Sequence, residues 1–244
     1  SRGLGDVYKR QGEARAFLQT EHDAYVEYLL SLSLSNGAIA LYRPTVAQYP
    51  SSAPEALDGV PAETYLRWRS AKLEPSAATA AARGLLTAGD AGRDAAEGYI
   101  EWCFSHLNTA DEDAYGIDGT VYDTYFFIED GDSPRLLEIT GRALFAAEYG
   151  DEASNPHAYA SSDASSAAFL SLLRAYVERY GGLGRFSDRL TEIDRIAGAM
   201  LATYDEALGL TACKGADSDR LLVNNCIVYR AVSYTHLTLP TIRL

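Results

Sequence analysis

Basic residues are scarce in this chain: 21 Lys and Arg stand against 34 Asp and Glu in 244 residues, a formal net charge of −13. That balance repels polyanions, so nucleic acid and anionic membrane surfaces are excluded as partners. Long apolar runs are lacking as well. Charged or small polar residues interrupt every stretch before it reaches the roughly 18 to 20 apolar residues that span a bilayer, and no membrane partner is expected. Cysteine is sparse, and Cys103, Cys213 and Cys226 are widely spaced with no C-x-x-C. This excludes a disulfide framework and a zinc knuckle, and three free thiols point to a reducing compartment such as the cytoplasm. The phosphate-binding pattern G-x-x-x-x-G-K-[ST], the dinucleotide pattern G-x-G-x-x-G, the nucleophile elbow G-x-S-x-G and the zinc motif H-E-x-x-H are all missing. His22, His106 and His157 are scattered, without metal-ligand spacing. Neither a metal nor an organic cofactor is expected.

What is present is apolar periodicity. From Glu13 to Leu34, apolar residues recur at spacings of three, four and seven, which predicts an amphipathic helix stopped by Asn36-Gly37. Four prolines between Leu41 and Pro61 predict a long loop. Helical patterns follow at Ala62–Leu73, Pro75–Thr87 and Arg93–Leu107, with Pro75 suited to a first helical turn. The period then changes: Thr120–Ile128 is β-branched and aromatic and runs into the turn cluster Glu129–Pro134, predicting a small hairpin or extended loop. A short helix is expected over Ile139–Tyr149 and irregular chain over Gly150–Ala160. Two long helices are expected at Ser162–Tyr180 and Phe186–Leu208, joined by Gly181-Gly182-Leu183-Gly184, and a last one at Asp219–Ala231. The fold class is therefore mostly α, either a stack of helical hairpins with functional loops on one rim or an ordinary helical domain with one decorated β-hairpin.

Both ends differ from this body. Gly5–Gln11 and Val232–Ile242 resemble translated library-adapter DNA of the kind found at the ends of metagenomic gene fragments, and neither shows helical periodicity. The expected organisation is thus an adapter-like segment over residues 1–11, one helical domain over 12–231 and a second adapter-like segment over 232–244. Length allows one large domain or two small ones.

Carboxylates and aromatics gather in two places. Asp118-Gly119-Thr120-Val121-Tyr122-Asp123 follows a helix carrying Trp102 and His106. Paired carboxylates can supply a general acid and a base or nucleophile, and aromatic faces stack on sugar rings, so this mixture suits carbohydrate chemistry. Turn formation explains Asp118 equally well. The second place is Tyr159 to Ser166, where Ser162 or Asp163 can cap the long apolar helix. A third candidate is Asn224-Asn225-Cys226, near the last helix, with turn and cap chemistry as the simpler reading.

Together, Asn36–Ile39, Tyr99–Trp102, His106–Asn108, Asp118–Asp123, Ser162-Asp163, Ala168–Leu173 and Asn225–Tyr229 resemble a bacterial group of six-hairpin glycosidase-like proteins, over most of residues 30–230. The resemblance implies a partial (α/α)6 toroid with a small β-hairpin insertion, whose central cleft takes a carbohydrate ligand. It makes Asp118, Asp123 and Asp163 the candidate catalytic carboxylates of a glycoside hydrolase. Trp102, His106, Tyr122, Tyr125, Tyr159 and Asn225 are the candidate substrate-binding residues. Where the group's pattern carries acidic or aromatic residues, this chain has Ala160, Ala164-Ser165, Asn224 and Ile227. An amide cannot donate a proton as a carboxylic acid does, so a binding-only protein is the alternative, and a helical interaction scaffold is the third reading.

Overall fold

The computed structural model describes residues 2–34, 36–40, 72–73, 75–111, 113, 115–121, 125–129, 136–140, 162–213 and 219–238. Among these the chain is mostly helical. Helix α1 spans Arg2–Leu30, α2 Pro75–Leu85, α3 Gly89–Ser105, α4 Ser162–Tyr180, α5 Leu190–Leu201 and α6 Leu222–Thr238. Strands β1 (Lys72–Leu73), β2 (Tyr125–Glu129) and β3 (Leu136–Thr140) form one antiparallel sheet in that order, and β4 (Tyr204–Asp205) pairs antiparallel with β5 (Leu210–Thr211).

Helix α4 organises the packing, because α2, α5 and α6 all lie against it. Its apolar residues Phe169, Leu170, Leu172, Leu173 and Tyr176 are all buried. Phe104 of α3 meets Phe169 edge to face at 5.4 Å, and Phe186 closes on Tyr176 at 5.1 Å. Each such fully buried aromatic contributes about 2 to 3 kcal/mol of apolar transfer energy. The helix stops where the sequence predicts: Gly181 takes φ +80° and donates its N–H to the Val177 carbonyl at 2.8 Å, a left-handed cap that a side chain would strain.

A second glycine fixes how the turn after α1 meets α3. Gly37 has φ +96°, and a Cβ there would lie 2.6 Å from the Gly98 carbonyl oxygen. Leu29, Leu32 and Ile39 are buried on that approach, whereas Phe17, Leu18, Tyr25 and Tyr28 on the preceding turns of α1 are exposed.

Four expectations need correction. Lys72 and Leu73, read as the end of a helix, instead pair with Phe126 and Tyr125. Ile139 and Thr140, read as a helix start, pair with the same two residues from the other side, as their β-branched character favours. The helix expected over Phe186–Leu208 is three pieces: a single 3-10 turn at Gly184–Phe186, then α5, then the β4–β5 hairpin. Asp205 is the physical reason for the last break. Its Oδ1 accepts the N–H groups of Ala207 at 2.9 Å and Leu208 at 3.2 Å, and Gly209 then turns at φ +67°. Finally, the two end segments are not devoid of helix, since α1 begins at Arg2 and α6 runs to Thr238. No proline interrupts either stretch, and a helix nucleated in the body propagates outward at little cost. No described helix is long and apolar enough to cross a membrane.

Candidate functional site

Asp163 stands in the first turn of α4 and is fully buried. Its Oδ1 accepts the Ala164 backbone N–H at 2.6 Å and the Asn224 carboxamide at 3.1 Å. Its Oδ2 lies 2.9 Å from the Thr211 hydroxyl, whose single proton faces Asn225 Oδ1 as well, at 3.2 Å. Burial pushes the Asp163 carboxyl above the ordinary range, and these donors, all neutral, only partly oppose that.

Asn225 completes the knot. Its carboxamide accepts the Thr211 N–H at 2.8 Å and donates to the Thr211 carbonyl at 3.0 Å, pairing with β5 as a neighbouring strand would. The same amide donates to the Leu221 carbonyl at 3.1 Å. Asp163, Thr211, Asn224 and Asn225 thereby join α4, β5 and α6. Next in the chain, the Ser165 and Ser166 hydroxyls are buried with no hydrogen-bond partner among the described residues.

A groove of about 600 Å³ opens against this knot, between the β4–β5 hairpin and the first turns of α6. Thr211 and Asn225 form its polar edge, Leu210 and Leu222 part of its apolar wall, and the exposed rings of Tyr204 and Tyr229 flank it. None of its lining side chains is charged. Cys226, an exposed free thiol, also faces it.

Of the residues singled out from sequence, the structure brings Asp163 and Asn225 together through Thr211. Trp102 and His106 form a separate pair. Trp102 is buried in the core and stacks on His106 with ring centroids 4.1 Å apart, and His106 Nδ1 lies 2.7 Å from the Trp102 carbonyl at the end of α3. Asp118 is elsewhere again. It is exposed and bound bidentately by Arg195, at 2.7 and 2.9 Å, and that guanidinium holds its carboxyl below the ordinary range. Among the described residues Asp118 is thus held by Arg195, whereas Asp163 is held by Ala164, Thr211 and Asn224. Asp123, Tyr122 and Tyr159 lie outside the described residues, and Tyr125 is described only through its backbone in β2.

Two buried carboxylates escaped the sequence reading. Asp113 ties the loop after α3: it accepts the N–H groups of Tyr115 at 2.8 Å and Ile117 at 3.1 Å and the Thr120 hydroxyl at 3.1 Å. Asp-x-Tyr-Gly is a turn signal that could have found it. Glu97, on the buried face of α3, accepts the Tyr176 hydroxyl at 2.7 Å, Arg93 Nε at 2.8 Å and Arg185 Nη1 at 3.0 Å. Its mark in the sequence is the Arg93–Glu97 spacing of four, which sets an ion pair on a face that Ile100 and Phe104 also share.

Among the described residues no group of three or more His, Cys, Asp or Glu side chains is placed to hold a metal ion. Comparison with family models, with curated proteins and with solved structures gives no match to this chain.

Proposed function

We propose that this chain binds a carbohydrate in the groove between the β4–β5 hairpin and α6, on a partial (α/α)6 toroid of helical hairpins. The observation that carries the reading is the groove itself: two exposed tyrosine rings flank an uncharged, largely apolar trough with a Thr and an Asn at its edge. Aromatic faces take the C–H faces of sugar rings, and a few placed polar groups orient the hydroxyls. The resemblance to six-hairpin glycosidase-like proteins supports the same ligand class, with the weight of an analogy.

Glycoside hydrolysis is the second reading, and one observation favours it. Asp163 lies directly behind Thr211 at the groove's edge, and burial shifts its carboxyl upward, the direction a general acid needs. Hydrolysis also needs a second carboxylate across the bond; of the two candidates, Asp118 is taken by Arg195, which leaves Asp123.

Calorimetric titration with neutral oligosaccharides tests the binding reading. The expected result is saturable binding that Tyr229→Ala weakens at least about tenfold, with no reducing ends released over the same incubation. Tyr229 is 75% exposed, so its loss leaves the fold intact. Binding that is indifferent to Tyr229→Ala and Tyr204→Ala removes the groove as the site. Release of reducing ends that Asp163→Asn abolishes replaces binding with hydrolysis.

A further inference from the structure

A small cleft along α4, distinct from the groove and sharing none of its lining residues, gathers three arginines. It has a volume of about 110 Å³ and takes Arg83 from α2, Arg174 and Glu178 from α4, and Arg230 from α6. In a chain of net charge −13, three guanidiniums from three separate helices face one carboxylate. Glu178 is committed to Arg174, whose Nη2 and Nε lie 2.6 and 2.7 Å from its Oε1. Arg83 and Arg230 have no ion-pair or hydrogen-bond partner among the described residues. Ser171, also in the lining, spends its proton on the Ala167 carbonyl at 2.8 Å, so recognition falls to the guanidiniums.

We propose that this cleft binds a phosphate dianion, either inorganic phosphate or the phosphate of a small monoester. Three positive charges against one negative leave a surplus of two, which a dianion matches and a monocarboxylate does not. Guanidinium forks present paired N–H donors at the spacing of phosphate oxygens, and they do so from fixed directions when the three side chains rise from three packed helices. The volume selects the head group: it is below the range of about 300 to 1,000 Å³ typical of sites that enclose a whole drug-sized ligand. Arg83 lies in the last turn of α2, where the helix dipole favours a cation. Bound phosphate ties α2 and α6 to α4, and a ligand that binds only this folded arrangement raises the unfolding temperature by an amount that grows with the logarithm of its concentration above Kd.

The test is thermal unfolding of the full chain near pH 7.5 at constant ionic strength in chloride, acetate, inorganic phosphate or a hexose phosphate, with calorimetry of the two phosphates. The expected result is a higher unfolding temperature in both phosphates than in chloride or acetate. Arg83→Gln and Arg230→Gln are each expected to weaken phosphate binding at least about tenfold, whereas Arg15→Gln on α1 leaves it unchanged. Both cleft arginines are exposed, so neither variant threatens the core. Tighter binding of the hexose phosphate assigns the site to esters, and tighter binding of the free ion assigns it to inorganic phosphate. Equal unfolding temperatures in all four anions overturn the proposal, as does a phosphate effect that survives both arginine variants.

Discussion

Glu97 and Asp163 are both sealed from water, both accept three hydrogen bonds and both are tied to α4, Asp163 at its first turn and Glu97 through Tyr176 near its other end. Burial pushes each carboxyl up by the same mechanism. The outcomes are opposite. Two of Glu97's three donors are guanidiniums, and its carboxyl ends below the ordinary range despite its burial. Asp163's donors are a hydroxyl, a carboxamide and a backbone N–H, and its carboxyl ends above it. The count of hydrogen bonds is the same, so the charge of the partners sets the sign. One buried acid here is held by cations and shifted down, and the other is held by neutral donors alone and shifted up.

Breaking the charged arrangement should have the largest effect. Glu97→Ala takes from the buried Tyr176 hydroxyl its acceptor and from Arg93 its anion, leaves Arg185 only the looser Glu101 contact at 3.7 Å, and should cost about 3 kcal/mol, read as a lower denaturant midpoint at unchanged slope. Arg93 and Arg185 both reach water, which keeps the cost from being higher.

The pH dependence sharpens the contrast. Glu97's folded pKa is depressed, so its stabilisation is present above the ordinary carboxylate range and is lost as pH falls through the folded value. Asp163's folded pKa is raised, so its contribution is fully present below the ordinary range and is withdrawn as pH rises through the folded value. Asp163→Asn can keep every bond of the knot if its amide donates to Thr211 and its oxygen accepts from Asn224 and Ala164. It should therefore leave stability near pH 4 within about 1 kcal/mol of the parent, and be equal or more stable at pH 7. A fall in stability at pH 7 that is absent at pH 4 would show that Asp163 is held as an anion.

The smallest effect is expected at Asp118, an ion pair in water rather than in the core. Asp118→Asn should cost less than about 0.5 kcal/mol, and that little should vanish in high salt. Chemical denaturation with and without added salt reads both.

How far the sequence carries is itself uneven between these regions. Helix α4 was legible to its last residue, because apolar period, a capping start and a glycine stop agree along a single segment. The first arm and the turn of the β2–β3 hairpin were legible from a β-branched run and turn cluster, whereas the end of β3 was read as a helix start. The β4–β5 hairpin was not: the apolar period continues through Leu201 and Leu208, and only the Asp205 side chain turns the chain out of the helix. The candidate site divides the same way. Asp163 could be singled out locally, but what holds it comes from Thr211 and Asn224, 48 and 61 residues away. Glu97 was missed because its meaning lies in Tyr176 and Arg185, 79 and 88 residues on. Local pattern identifies an element; it does not say which distant side chain will meet it.

Those separations also bear on time. Contacts between residues so far apart in the chain require large loops to close, and we expect both carboxylate ties to be completed late in folding. Interactions absent from the transition state leave the folding rate nearly unchanged and act on the reverse rate, so these two ties work mainly as latches that set how long the folded chain persists once formed.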